Sequence, residues 1–391
     1  MDWVSLVVRW VHFTAGIAWI GSSFYFIWLD RNLTVPLTPR PGVEGELWMV
    51  HSGGFYQVEK RRIGPGQMPA VLHWFKWEAA ATWASGMLLL VIVYYLGGAS
   101  LLIDPSVAAL PRTPAIAIAL GSVMGGWIAY DILWRSPLAR QEWTATLVSL
   151  LLLAAVTAAL FTWLSGRAAY IHVGALLGTI MVQNVWKAIL PAQQQMIDAT
   201  SRGETPDFSL GERAKRRSVH NSYMTLPVLF LMISSHYPQT WGHRLGWLIL
   251  ILIMGAGAAA RHAMIGRGPR RLWALAPMTI CFAGALLLAT PRNARPAISG
   301  TAAVVPRFGE VRAIVNARCL TCHSRYPTDR TYTIAPNGVV LDTPEQIVAL
   351  AARIRERAVM QRTMPLNNTT GITDAERAAL GRWVDAGAPR P

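Results

Sequence analysis

Cysteine is almost absent from this chain, with three in 391 residues, and acidic side chains are scarce, with 21 Asp and Glu against 36 Lys and Arg. Three cysteines cannot build a disulfide framework. Charged residues make up 15% and hydrophobic residues 53%, which excludes an ordinary soluble globule. The formal net charge of +15 does not signal nucleic acid, because the Lys and Arg fall in short segments between apolar runs, where membrane topology accounts for them. No nucleic-acid partner is expected; a lipid bilayer is. The opening MDWVSLVVRWVHFTAGIAWIGSSFYFIWLD lacks a small-residue cleavage site, and its apolar stretch is too long for the core of a signal peptide. It reads as a retained first spanning helix.

Eight segments approach the roughly 20 apolar residues that a spanning helix needs: 3–29, 74–96, 114–133, 143–164, 169–190, 219–235, 242–260 and 272–290. The sixth is short and contains Pro227, which predicts a kink or break. The loops joining helices 1–2, 3–4, 5–6 and 7–8 carry 5, 2, 5 and 4 Lys and Arg, whereas the alternate loops carry only Arg112 and Arg167, with Arg244 just inside the seventh helix. Positive charge stays inside, so both termini are expected in the periplasm of a bacterium, across its inner membrane. Trp3, Trp10, Trp163 and Trp241 fit the outer aromatic belt, and Cys281, within an apolar run, reads as inert packing. The expected class is all-α: a polytopic bundle of about eight transmembrane helices over residues 1–290, a Pro-, Ala- and Arg-rich linker over 291–305, and a small periplasmic domain over 306–391. A short parallel repeat is suggested by RWVHFTAG and AYIHVGAL in helices 1 and 5 and by LHWFKWEA and SVHNSYMT in helices 2 and 6.

The small domain carries the clearest chemistry. Residues 318–323 read RCLTCH, the C-x-x-C-H pattern in which two thiols, Cys319 and Cys322, add to haem vinyl groups and His323 binds the iron. A zinc or redox pair is the competing reading, but a methionine some forty residues on, ahead of a C-terminal helix, favours a cytochrome c domain with one covalent haem. Met364 in QRTMPLNN is the expected sixth ligand; Met360 ranks below it because it ends the helix AARIRERAVM. The final TDAERAALGRWVDAGA predicts a helix with a threonine N-cap, an acidic first turn and an apolar face at Leu380 and Trp383.

Ionisable residues within membrane helices are costly and mark functional candidates. The outer side has His12, Tyr170, His172 and His236; the inner side has Asp30, His73, Lys76, Glu78, Asp131, Asn184, Lys187, His220, Asn221, Arg261 and His262. Imidazoles at matched depth on different helices can hold a non-covalent b haem. His12 with His172 is the first candidate pair of iron ligands and His73 with His220 an inner one, against the alternative that each makes a buried hydrogen bond. Lys76 and Glu78 lie beside His73 in HWFKWE, and Asn184 and Lys187 are expected to share a helix face at i, i+3.

These motifs, namely VHFTAGIAWIGSSFYF, GGFYQVEK, HWFKWEAAATWASG, YIHVGALLGTIMVQN, HNSYMTLPVLFLMISSHYP and the Arg261–His262 pair, followed by RCLTCH, resemble the membrane-bound, cytochrome c-linked urate oxidases (urate hydroxylases) of bacteria over nearly the whole chain. The resemblance implies conversion of urate to 5-hydroxyisourate, with electrons leaving through the cytochrome to a soluble cytochrome c or a terminal oxidase. Asn184, Lys187 and Asn221 would then hold the anionic purine, and Lys76, Glu78 or His220 would supply or tune the base. A hydrocarbon core of about 30 Å is too thick for one direct electron transfer from an inner substrate site to an outer haem. A bridging haem, or a pocket opening outward, is therefore expected. A b- and c-type cytochrome without purine chemistry, a transporter with a redox-sensing tail, and a homo-oligomeric assembly all stay open at this level.

Overall fold

The computed structural model describes residues 2–64, 67–97, 101–105, 107–266, 268–290, 305–329, 332 and 334–390. Its elements, in chain order, are α1 (Asp2–Asn32), the strands β1 (Val43–His51) and β2 (Gly54–Arg61), α2 (Trp77–Leu90) running into a wide π-turn at Val91–Leu96, α3 (Arg112–Arg135) and α4 (Glu142–Trp163). There follow α5 (Gly166–Gln183), a second π-turn at Asn184–Ile189, α6 (Leu190–Ser201), α7 (Phe208–Ile233), the one-turn α8 (Pro238–Trp241), α9 (Gly246–Ile265) and α10 (Leu275–Ala289). The C-terminal domain contributes α11 (Phe308–Arg318), α12 (Pro344–Ala349), α13 (Ala351–Ile354) with a π-turn at Arg355–Met360, and α14 (Asp374–Asp385).

Seven helices among the described residues are long and apolar enough to cross a membrane. The expected sixth span, 219–235, falls in α7, which has the length but not the composition: its first half carries Glu212, Arg213, Lys215, Arg216 and Arg217. Pro227 lies within α7 without ending it. The fifth span is longer than its apolar run predicts, because α5, the π-turn and α6 continue as one helix over Gly166–Ser201. Helix ends follow local chemistry. Pro137 forces Ser136 into extended backbone and closes α3, and the Ser165 hydroxyl accepts from the Ala168 N–H and opens α5.

One element is absent from the expectations above. Residues 43–61 form an antiparallel hairpin, Trp48 facing Gln57 and Val50 facing Phe55, closed by Ser52 and Gly53, both at positive φ. Two central residues of that conformation form the tight turn whose twist matches a hairpin. Arg40 bridges Glu46 and Glu59 across it.

By compactness the chain divides into two units: Met1–Leu89, Ala175–Leu229 and Gly255–Thr279 in one, and Leu90–Gly174, Phe230–Met254 and Ile280–Pro391 in the other. Within the second, the C-terminal domain has its own core, built from Phe308, Val315, Leu341, Ile347, Leu380 and Trp383, the last two fully buried on α14 as their spacing predicts. The linker expected over 291–305 lies outside the described residues apart from Val305.

Candidate functional site

Cys319, Cys322, His323 and Met364 line one cavity of about 530 Å³, within the range of small-molecule and cofactor sites. α11 delivers the first cysteine at its C-terminal end, and the His323 Nδ1 donates to the Val339 carbonyl at 3.0 Å. Fixing one ring nitrogen in this way selects the tautomer whose Nε2 is free to bind a metal. Burial keeps the His323 pKa below the ordinary histidine range, so the ring is neutral, as a ligand must be. The methionine loop is held by its backbone: Met364 N–H donates to the Arg357 carbonyl at 3.1 Å, and Arg377 donates to the Met364 carbonyl at 2.8 Å. Met360 ends the π-turn, takes a 2.8 Å contact from Arg355 and is not part of the cavity wall. Of the two methionines, Met364 is the one that shares the cavity wall with His323.

The zinc and redox alternatives fare worse. Burial pushes the Cys319 thiol up to about 12 and raises the Cys322 thiol as well, whereas a redox cysteine needs an accessible thiolate. Among the described residues no group of three His, Cys, Asp or Glu side chains could hold a metal ion. The residues present therefore fit a covalent c-type haem: two anchoring thiols, an oriented imidazole, a thioether and a wall that includes Arg318, Arg353 and Arg357.

The first unit gathers a second set of polar side chains. Asn184 and Asn221, 3% and 7% exposed, are joined by a 2.8 Å hydrogen bond from Asn184 Nδ2 to Asn221 Oδ1. Asn221 Nδ2 donates to the Met181 carbonyl at 2.9 Å and Arg217 donates to Asn184 Oδ1 at 3.3 Å. Lys187 does not share this face. It is exposed, because the π-turn from Asn184 widens the helix and rotates it away. The cause is local: Pro191 has no N–H to offer the preceding turn and crowds its carbonyls, so the Leu190 N–H reaches back five residues to Val185.

Lys76 Nζ lies 5.6 Å from the rings of Trp74 and Trp77 and 6.0 Å from Trp186, an aromatic surround that suits an electrostatic role. Glu78, in the first turn of α2, has a buried Oε2 without a hydrogen-bond partner, as do Gln183 Oε1 and Trp186 Nε1. His73 and His220 differ in setting: His73 is exposed ahead of α2, with its ring 4.7 Å from Phe75, whereas His220 is half-buried on α7.

Arg261 stands outside the substrate set expected above, among the polar groups of the inner side. Arg261 is 3% exposed, donates from Nε to the Ser222 hydroxyl at 2.8 Å, and stacks with its guanidinium carbon 3.6 Å from the Phe24 ring centre. One of its terminal nitrogens is buried without a partner. Beside it, the Tyr223 hydroxyl and His262 Nδ1 are 2.7 Å apart. Only tertiary packing separates this arginine from the solvated ones; its signal in sequence was a basic residue inside an apolar helix.

The two histidines expected on the outer side have unlike surroundings. His12 Nδ1 bonds to the Thr82 carbonyl at 2.9 Å and lies 3.1 Å from the Ser85 hydroxyl, and its ring lies over Gly86, where a Cβ would come within 2.9 Å of Cε1. His172 is fully buried; its Nδ1 donates to the Ala168 carbonyl at 2.7 Å, and its Nε2 meets the Tyr95 hydroxyl at 2.9 Å. The π-turn at Val91–Leu96 supplies Tyr94 and Tyr95 to this ring. His12 thus keeps Nε2 for a ligand, whereas His172 would have to exchange its tyrosine bond for one.

Fold and sites together define a helical protein of membrane-spanning composition, with a polar cluster in its helical part and a C-x-x-C-H cavity in a small C-terminal domain. Residues 1–290 match the family described as urate oxidase N-terminal, and the chain belongs to that family. No curated protein and no solved structure matches it.

Proposed function

We propose that the chain is a membrane urate hydroxylase: it oxidises urate to 5-hydroxyisourate and passes the electrons to a covalent haem in its C-terminal domain, and from there to a respiratory acceptor such as a soluble cytochrome c or a terminal oxidase. The observation that supports this reading is the joining, in one chain, of a urate oxidase family domain to a cavity lined by Cys319, Cys322, His323 and Met364.

The urate monoanion must lose two electrons and one proton, after which water adds at the oxidised ring carbon to give neutral 5-hydroxyisourate. Arg261 is the residue we assign to the anion. Among the described residues it makes no ion pair, and a buried guanidinium with an unpaired N–H gains most from a planar anion. Phe24, stacked on it, marks the plane; Asn221 and Asn184 offer amides, and Lys76 adds a second cation. Glu78, with its unpartnered carboxylate oxygen, is the first candidate for accepting the proton, ahead of His220 and Lys76.

Bound haem supplies the one-electron redox chemistry that no side chain here provides. Cys319 and Cys322 would anchor it, and His323 and Met364 would ligate its iron. His12, with Nδ1 fixed on a carbonyl, is the residue best suited to ligate a second, non-covalent haem, whereas His172 would be free to ligate only on giving up Tyr95. Purified protein mixed anaerobically with urate tests the reading. Reduction of the haem absorbance bands by urate and not by a quinol supports it; reduction by quinol alone supports a cytochrome without purine chemistry.

A further inference from the structure

The cavity of the C-terminal domain is not walled by that domain alone. Arg167, His236 and Trp241, all of them ahead of the linker, line it together with Cys322, His323 and Met364. A direct hydrogen bond accompanies them, from Asn367 Nδ2, three residues past the methionine, to the Ile103 carbonyl at 3.3 Å.

Arg167 is held firmly at this wall. The preceding Gly166 packs directly on the Trp241 carbonyl oxygen of α8, leaving no room for a Cβ, and the Ser165 hydroxyl is tied to the Leu101 carbonyl at 2.8 Å. Its Nε is buried with no hydrogen-bond partner. The group it meets is the Tyr332 hydroxyl, kept neutral because burial raises its pKa, so the charge of Arg167 is not compensated there. Arg318, by contrast, is spent on Glu376 and the Thr370 carbonyl, and Arg357 donates to Gln361. Among the described residues of the lining Asp329 is the one carboxylate, against four arginines, and its Oδ1 already accepts from the Tyr332 N–H at 3.2 Å. A wall this rich in guanidinium groups suits a ligand that brings its own carboxylates, and haem brings two.

We infer that Arg167 is a haem-binding residue supplied by the membrane part to the C-terminal domain: its guanidinium takes a haem carboxylate, so that a loaded domain is fastened to the helices. This rests on the c-type haem reading proposed above. A bidentate guanidinium–carboxylate pair is both strong and directional, and a cation at the haem edge disfavours the oxidised, more positive form of the group.

The test uses the full chain in detergent, with Arg167→Gln and Arg167→Lys beside wild type. A haem stain of a denaturing gel comes first; an unstained wild-type band would end the c-type haem reading itself, a separate failure. With haem present, the midpoint potential is measured by spectroelectrochemical titration, and the sulfur-to-iron charge-transfer band reports that Met364 stays bound. Arg167→Gln is expected to lower the potential with that band intact, and Arg167→Lys to lower it less. Equal potentials in wild type and Arg167→Gln overturn the inference. Should the Gln variant fail to accumulate, resonance Raman spectra of the Lys variant decide: a shifted haem carboxylate bending band supports the assignment, and an unshifted one overturns it.

Discussion

A guanidinium buried with no ion pair among the described residues, as Arg261 is, costs stability that binding an anion restores. Arg261→Gln is therefore expected to leave folding and haem content intact while weakening urate at least about tenfold, since a charge-assisted hydrogen bond contributes about 1.5–3 kcal/mol and about 1.4 kcal/mol is a factor of ten. The dependence of the haem reduction rate on urate concentration measures it, and an unchanged dependence removes Arg261 from the substrate site. At the haem, Met364→Ala should lower the potential and abolish the charge-transfer band, whereas Met360→Ala, a residue outside the cavity, should do neither. The C-x-x-C-H cluster was legible in sequence because its spacing is local. Arg261 and the Asn184–Asn221 pair were legible only as polarity, since what distinguishes them is burial and a partner on another helix.

Elements repeat the pattern. The helix α14 was readable to its cap: Thr373 accepts from the Glu376 N–H at 3.2 Å and the Glu376 carboxylate accepts from the Thr373 N–H at 2.7 Å. Thr373→Ala should cost about 1 kcal/mol, read as a lower unfolding temperature of the C-terminal domain. The backbone hydrogen bond from Thr373 holds the Glu376 carboxyl below its ordinary 4.5, with Arg318 assisting. A depressed carboxyl stabilises the fold above its unfolded pKa and loses that contribution as the pH falls through its folded one. The stability gap between wild type and Glu376→Gln should accordingly be present at neutral pH and fade below about pH 4; a gap that persists in acid removes the carboxylate from the cap. Less legible was the turn at Asn184. Its apolar periodicity reads as plain helix, and Pro191, the cause of the widening, acts backwards along the chain. The hairpin was missed although Ser52-Gly53 between ELWMVH and GFYQVEKR is a turn signal with alternating flanks; a loop between two strong helical runs drew the reading away from period two.

At the scale of the whole molecule, charge placement in the loops carries more information than any single helix. We propose from it that the C-terminus lies outside, where covalent haem is attached in bacteria. An alkaline phosphatase fused after Pro391 should be active and a green fluorescent protein at the same place dark; the opposite pair of results would reverse the orientation and strand the haem motif in the cytoplasm. The count of spans differs from the eight expected, because α7 shares its length between an apolar half and a basic one.

A cavity with walls from both sides of a linker also bears on exchangeability. Because Arg167, His236 and Trp241 finish a pocket begun by Cys319 and Met364, the C-terminal domain is not a portable module. Grafted onto another anchor it should still take up haem on its own thiols, but at an altered potential, and a foreign domain placed after residue 305 should meet an ill-fitting wall. Substitutions on one side of the linker are then constrained by the other, so that on the function proposed above the two parts change as a matched pair or lose their electron connection.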